Sequence, residues 1–366
     1  MTIAADKVTH WELGSEFHWL GVPEPPFLAW PQPAVWYMLA RHAVAALLEM
    51  KAANSPSLWL PTYFCPEVAE CCRPYGEIRE YRDMPSWAEP DWKSLEPEPD
   101  DVVLAVNYFG VRDGDHWREW RGQVSCVLLE DHSQDPFSAW ASTSTADFAF
   151  ASARKTLPIP DGAILWSPRG LMLPSQPADG DWRGSDLKAT AMMYKAEYLR
   201  GGGSDELKRR YRHLQLTGED LLRKSRISAI SPFSSACIAE GAPQASRNRR
   251  SANARHLASK LIGVEHFNRL ISGWPVGAVP FALPVIFPSR RERDECQLAL
   301  RRNRIYCPVH WVCETSDVEA LDLASRMLSL PIDQRYEKRD MDSIAETLLR
   351  YEHSGRMDVA AEAEQA

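Results

Sequence analysis

The sequence predicts an α/β protein, with a large domain on a mostly parallel sheet and a smaller C-terminal α+β domain. Three observations carry that expectation. The chain has 366 residues, past the ~250–300 at which a single hydrophobic core usually stops growing. Between residues 57 and 166, short apolar runs of strand length recur with helical stretches between some of them, which is the order of βαβ units. From about residue 186 the texture changes to long, charged, helical sequence.

Residues 1–33 are rich in Trp, Pro and Phe and lack periodicity, so they read as an N-terminal arm that packs on something. From residue 34 to about 51, Val35, Met38, Leu39, Ala43, Ala46 and Leu47 recur at helical spacing, predicting an amphipathic helix. Apolar runs at 57–60, 102–106, 126–130, 148–151 and 163–166 predict strands, several of them bounded by Pro, Gly or Asp. Helices are expected at 66–73 and 116–122, and then at 187–200, 205–224 and 244–261. A strand at 281–287, a helix at 290–303, a short strand near Ile305 and two closing helices complete the second unit. The large domain is therefore placed at 34–250 and the small one at 251–353. The tail, 354–366, is rich in Ala and Glu and is expected to fray.

Composition narrows the classes. Hydrophobic residues make up 45% and charged residues 25% of the chain, which excludes wholesale disorder. A net charge of −8 gives no electrostatic footprint for nucleic acid or anionic lipid, and the basic run at 247–250 reads as a solvated helix face. Eight cysteines are present, Cys71 and Cys72 are adjacent, and no CxxC pair occurs. With no charged-then-apolar leader, these read as reduced thiols of a cytoplasmic protein, with no zinc or other metal site. No apolar run approaches the ~20 residues that a membrane span requires.

In open α/β sheets, ligands sit beyond the carboxyl ends of the strands. After the run at 126–129 comes Glu130-Asp131-His132-Ser133-Gln134, and after the run at 148–151 comes Ser152-Ala153-Arg154-Lys155. An acid closing one strand and a lysine just past the next face the same sheet edge. Pyridoxal 5'-phosphate (PLP) needs that pair: an amine to form an imine, and a carboxylate to keep the pyridine nitrogen protonated. Taken singly, a lysine beside a Pro-rich loop is a surface residue and an Asp after a strand is a turn former.

Residues 128–162 resemble the DegT–DnrJ–StrS aminotransferases, PLP enzymes of aspartate-aminotransferase-like fold. In that family an Asp-x-x-Gln follows one strand, matched here by Asp131 and Gln134, and an aromatic–small strand leads to a lysine and a loop ending in Gly, matched by 147–162. Residues 37–48 with 58–68, 103–110, and 304–311 with 324–332 agree with family segments in the same order, so the resemblance spans roughly 36–351. It implies a seven-stranded, mostly parallel sheet, a Schiff base on Lys155, a pyridine partner in Asp131, and Gln134 near the cofactor's phenolic oxygen. It also implies a homodimer with active sites at the interface, a role that suits the aromatic arm.

The departures fall on the cofactor cup. The family opens its first helix with Ser-Gly-Thr, which holds the phosphate, whereas this chain has Ala40-Arg41-His42; Arg41 and His42 are the replacements. The position of the ring-stacking aromatic falls at Cys65, flanked by Tyr63 and Phe64, one of which covers the ring. A serine usual five residues before the lysine is Phe150 here, leaving Ser152 as the nearest hydroxyl. His310, followed by Trp311, lies where relatives have His-Tyr near the substrate. Lys188 and Lys195 lie in the region from which the family's partner subunit reaches the phosphate, without the family's glycine–asparagine pattern. Trp182, Tyr194 and the arm are candidates for a substrate cleft.

The resemblance implies transfer of an amino group from a donor amino acid, glutamate foremost, to a carbonyl acceptor such as a nucleotide-linked keto-sugar. Two alternatives stand beside it. PLP-dependent dehydration usually replaces the lysine with His, so Lys155 argues against it. A degenerate homologue acting as a binding or regulatory protein finds its support in the lost Ser-Gly-Thr.

Overall fold

Four apolar runs in the first half of the chain are buried along their length, with only Val127 half-buried, and that burial dictates where they go. Ser57–Pro61, Val102–Val106, Val127–Asp131 and Phe148–Ser152 are near-continuous hydrophobic strands, a pattern that belongs in the middle of a sheet covered on both faces. The computed structural model describes residues 11–202, 204–271 and 273–364, with the side chains of 202 and 352–364 outside that description. It places these strands in a seven-stranded sheet in the order Ala34–Tyr37, Ala163–Trp166, Phe148–Ser152, Val127–Asp131, Val102–Val106, Ser57–Pro61 and Glu77–Tyr81. Only Ala163–Trp166 runs against its neighbours.

Alternate residues feed two cores. Leu58, Leu60, Val102, Leu104, Leu129 and Phe150 pack with the helix Ala40–Met50 on one face. Trp59, Val103, Ala105 and Leu128 pack with Trp117 and Trp140 on the other. The parallel register aligns Val106 with Asp131 and Asp131 with Phe150. The ends of the acid's strand and the lysine's strand are therefore adjacent on one sheet edge.

The smaller unit is built on an antiparallel sheet of Asn268–Arg269, Leu283–Ile286 and Met327–Leu330. Helices Gln244–Lys260, Arg290–Arg302 and Lys338–Glu364 supply its core, which includes Leu257, Cys296, Leu328 and Ile344. The α/β class and the seven-stranded, mostly parallel sheet are as the sequence predicts. Four details differ. Residues 34–37 are a strand, not the start of a helix, because Val35 and Tyr37 turn inward while the backbone pairs with Ala163–Trp166. The polar strand Glu77–Tyr81 and the strand Met327–Leu330 are not among the expected elements. A boundary at 250 cuts the helix Gln244–Lys260. The helix Lys338–Glu364 continues through most of the expected tail.

The arm is described from residue 11, and its residues 1–10 lie outside the described residues. Its Leu13–Gly14 pairs in parallel with Ile305–Tyr306, Leu13 is fully buried in the small core, and Phe27–Leu28 pairs with Ala242–Pro243. The described arm thus packs along its own chain. Among the described residues, no helix is long and apolar enough to cross a membrane, no group of three His, Cys, Asp or Glu is placed to hold a metal ion, and all eight cysteines are free.

Candidate active site

Lys155 closes a single 3-10 turn, Ala153–Lys155, that follows directly on the strand Phe148–Ser152. Its Nζ lies 5.4 Å from the ring centre of Trp311 and has no acidic partner among the described residues. Asp131 ends the neighbouring strand and is 6% exposed. Its Oδ1 accepts from the Ser133 backbone N–H at 2.7 Å, leaving Oδ2 without a partner among the described residues. The same turn is tied to the lysine's strand, because the Ser152 N–H donates to Ser133 Oγ at 3.0 Å.

Asp131, Ser133, Ser152, Arg154 and Lys155 line one narrow pocket together with Phe64, Cys65 and the start of the helix Ala40–Met50. That helix begins on Leu39, whose side chain provides no cap, and has no acid in its first turn. Its first amides therefore present an uncapped, partly positive terminus to the pocket. Arg41 is 8% exposed and lines the pocket, but its guanidinium donates to the Leu222 carbonyl at 3.2 Å and lies 3.6 Å from Glu67. Arg154 is held by both oxygens of Glu219, at 2.9 and 3.0 Å. The pocket opens past Arg154 and Lys155 into a cavity of about 700 Å³ between the two units, lined also by His310 and Ser329. A larger groove of about 980 Å³ near Tyr37, Met50 and Tyr75 contains neither Lys155 nor Asp131.

The remaining sequence-predicted residues divide. Phe64 and Cys65 both line the pocket, with Phe64 also packing on Trp311 at 5.8 Å between ring centres. Burial pushes the Cys65 thiol up, against the opposing pull of the Lys155 charge. Tyr63 is fully buried and donates to the His310 carbonyl.

His42 is not in the pocket: fully buried, it faces Ser225, its Nδ1 is unpartnered, and burial holds its pKa down at about 4. Gln134 is likewise outside the pocket lining. Its Oε1 accepts from the Phe109 N–H at 2.5 Å, clamping a loop in which Phe109 has φ 56° and Gly110 φ 74°. A β-carbon on Gly110 would meet Asp135 Cβ at 2.7 Å, so only glycine lets the loop come this close. The Gln134 Nε2 is buried without a partner.

His310 lies in the adjoining cavity. Its Nδ1 is 2.9 Å from Ser329 Oγ, and burial, aided by the nearby Lys155 charge, holds its pKa at about 3. Lys188 and Lys195 do not project outward: they are bound to Glu16 and Glu219, and to Glu12, respectively. Trp182 donates to the Ala229 carbonyl, and Tyr194 stacks under Arg210, so neither lines the cavity. Sequence reasoning missed Trp311 as the ring over Lys155, and missed Arg250, which lines the cavity from the helix Gln244–Lys260.

The fold, with its seven-stranded sheet and strand-end site, is an α/β architecture that solved aminotransferase structures share. No protein-family sequence model and no curated protein matches the chain, but solved structures do. Spr1654 from Streptococcus pneumoniae, in its PMP form, superposes with a TM-score of 0.64 at 14% identity over 91% of this chain and 92% of that one. PseC from Helicobacter pylori, an aminotransferase involved in the biosynthesis of pseudoaminic acid, gives 0.58 at 12% identity over 88% and 87%. A DegT DnrJ EryC1 StrS aminotransferase from Brucella abortus gives 0.55 at 13% over 87% and 86%. The likeness establishes the fold.

The donor set fits PLP. A free carboxylate oxygen on Asp131, an amine without an acidic partner on Lys155, the Ser152 hydroxyl and an uncapped helix terminus converge on one pocket. These match the pyridine nitrogen, the aldehyde and the phosphate of that cofactor.

Proposed function

We propose that the chain is a PLP-dependent aminotransferase that moves an amino group from an amino acid, with glutamate as the leading donor, to a carbonyl acceptor. The observation that carries the reading is the convergence of Lys155 and the free oxygen of Asp131 on one strand-end pocket. When bound, PLP supplies an aldehyde for the amino group and a ring that withdraws electrons from the carbon bearing it.

The residues divide the remaining work. Lys155 Nζ would hold the cofactor's aldehyde, and as a free amine it would serve as the base that takes the proton from the donor's α-carbon. Asp131 Oδ2 would accept from the ring nitrogen and so would keep a proton there. Ser152 and the amides of Ala40 and Arg41 would hold the phosphate, with the positive charges of Arg41 and Arg154 nearby. Phe64 and Cys65 wall the pocket with low-polarity surface that excludes water, and Trp311 packs on Phe64 and beside Lys155.

A nucleotide-linked keto-sugar is the acceptor class this reading favours, in keeping with a neighbour of the same fold, DesI, whose structure was determined in the presence of its TDP-sugar product. The same reading makes the protein a cytoplasmic homodimer with its sites at the subunit interface, for which sedimentation is the direct measurement. The deciding experiment is absorbance. The purified protein, loaded with PLP, is expected to be yellow, and glutamate to bleach the band. Lys155→Ala is expected to abolish it. A protein that stays colourless with PLP, or an unchanged band in Lys155→Ala, overturns the assignment.

A further inference from the structure

The strand that carries Asp131 to the pocket bears a second buried acid that the proposed chemistry leaves unused. Glu130 and His132, on either side of Asp131 in the chain, are both fully buried. Side chains alternate across a strand, and these two fall on the face of the sheet opposite the pocket, where Leu128 packs with Trp117 and Trp140. Glu130 Oε2 lies 2.8 Å from His132 Nε2, and Glu130 Oε1 accepts from the Trp140 indole N–H at 2.9 Å. Two indoles enclose the imidazole: Trp140 edge-on, with ring centres 5.2 Å apart, and Trp166 stacked at 6.0 Å. The residues beside Glu130 on the neighbouring strands are Ala105 and Ala149, whose small side chains leave the carboxylate room to turn to both partners.

Burying a carboxylate is costly unless hydrogen bonds satisfy it, and His132 and Trp140 are its only side-chain partners among the described residues. His132 Nδ1 is buried without a partner, so Glu130 is the polar anchor of the imidazole in turn. Trp140 is itself fixed. It sits in the short helix Ala139–Ser142, capped by Ser138, and a β-carbon on Gly114 would come within 2.4 Å of its ring. A link between residues two apart on one face of a strand constrains the backbone of the residue between them, and with it the direction of that side chain on the other face. The residue between them is Asp131. The turn that follows is also tied to the lysine's strand, since the His132 N–H donates to the Phe150 carbonyl at 2.8 Å and the Ser152 N–H to Ser133 Oγ at 3.0 Å.

We infer that Glu130, His132 and Trp140 are positioning residues that aim the Asp131 carboxylate into the pocket. The bond from the Ser133 N–H to Oδ1 lets the carboxylate swing with its own backbone, and the linkage behind the strand removes that freedom. The consequence for turnover rests on the aminotransferase reading, whereas the hold on Asp131 does not.

The test reads the hold and the turnover separately. Without PLP, hydrogen exchange followed by NMR is expected to show the Ser133 amide of the wild-type protein exchanging as slowly as the strand amides of Val127–Asp131. In His132→Ala that amide is expected to exchange about 10-fold faster, as befits the loss of one hydrogen bond's worth of order, while the amides of Val102–Val106 keep their rates. Trp140→Phe, which keeps a ring and removes only the N–H, is the milder change and is expected to act in the same direction. With PLP, glutamate is expected to bleach the band about 10- to 100-fold more slowly in His132→Ala, the loss that a small misplacement brings, and His132→Gln, which restores an N–H donor, is expected to recover most of it. On an Asp131→Asn background the same replacement is expected to add little, because residues that act through one another are not additive.

A Ser133 amide that exchanges freely in the wild-type protein overturns the inference, and this measurement stands even if the variants fail to fold. So does unchanged exchange in both His132→Ala and Trp140→Phe, or a slowing that simply adds to that of Asp131→Asn. A lowered melting temperature with a wild-type bleaching rate in His132→Ala overturns it as well, since that marks a purely structural role. If the wild-type protein binds no PLP, the aminotransferase reading falls, and exchange at Ser133 still decides whether the linkage holds Asp131.

Discussion

Lys155 Nζ sits 5.4 Å from the centre of the Trp311 ring, and that ring also packs edge-on against Tyr63 at 6.1 Å and tilted against Phe64 at 5.8 Å. The indole comes from the segment before the small unit's last strand, so the two halves of the chain meet at the reactive amine. Contacts of an amine cation with an indole are worth about 0.5–2 kcal/mol, or roughly 2- to 30-fold in a rate or equilibrium. Trp311→Ala is expected to slow the glutamate-driven bleaching by a factor in that range while leaving the protein yellow. Trp311→Phe, which keeps a ring there, is expected to recover most of the loss. Stopped-flow absorbance on the three proteins checks this, and an unchanged rate in Trp311→Ala would remove the indole from the mechanism.

Asp131 gives a sharper expectation, because its two oxygens have separate tasks. Oδ1 holds the turn through the Ser133 N–H, a bond that an amide oxygen also accepts. Asp131→Asn therefore keeps the fold of the turn and removes only the charge. The variant is expected to bind PLP and to convert it with glutamate about 100-fold more slowly, equivalent to about 2.7 kcal/mol of barrier. Loss of cofactor binding together with a lower melting temperature would instead point to a structural role.

Which parts of this arrangement can be read from sequence depends on how local their causes are. Asp131 ends one buried apolar strand and Lys155 closes the turn that follows the next, and strand order alone brings them together, so a short window around each residue suffices. The strand Glu77–Tyr81 escapes such a reading because it lies at the sheet edge, where charged residues replace the apolar run. Residues 34–37 mislead because Val35 fits a helical repeat with Met38 and Leu39 as well as it fits an alternating strand. Gln134 is visible as a motif, but its side chain turns to the Phe109 amide, a contact set by a loop elsewhere in the chain. Trp311 reaches Lys155, and Arg250 the Thr156 carbonyl, only through the packing of the small unit on the large one, which no local pattern encodes.

The loop that Gln134 clamps is held from its other side by an ion pair. Arg112 donates to both oxygens of Asp83, at 2.8 and 2.7 Å, and lies over the Tyr108 ring at 4.7 Å. Asp83 is fully buried. Removing one partner leaves a buried charge without a counter-ion, which costs about 3–5 kcal/mol. Asp83→Leu and Arg112→Leu are each expected to destabilise the protein by that amount in urea titrations. The double replacement is expected to cost less than the sum of the two, and additivity would show that the pair is not coupled.

Acid should weaken the fold through His42 in a defined window. The side chain is fully buried behind the first helix, burial is the largest cause of its low pKa, and the adjacent Arg41 charge adds to it. Its folded value is about 4, against the ordinary histidine value of 6.5 that the unfolded chain retains. A depressed value means that the unfolded chain takes up the proton first, so the stability this group contributes is fully present above pH 6.5 and is lost as pH falls through 4. Between about pH 7 and pH 5 the loss from this one residue comes to about 2 kcal/mol. His310 and His18, both held near 3 by burial, act in the same direction and steepen the slope. Replacing His42 with Gln, which cannot take up the proton, is expected to flatten the dependence of the urea midpoint on pH across this window by that amount. An identical slope in His42→Gln would mean that the imidazole is already protonated in the folded protein at about pH 5.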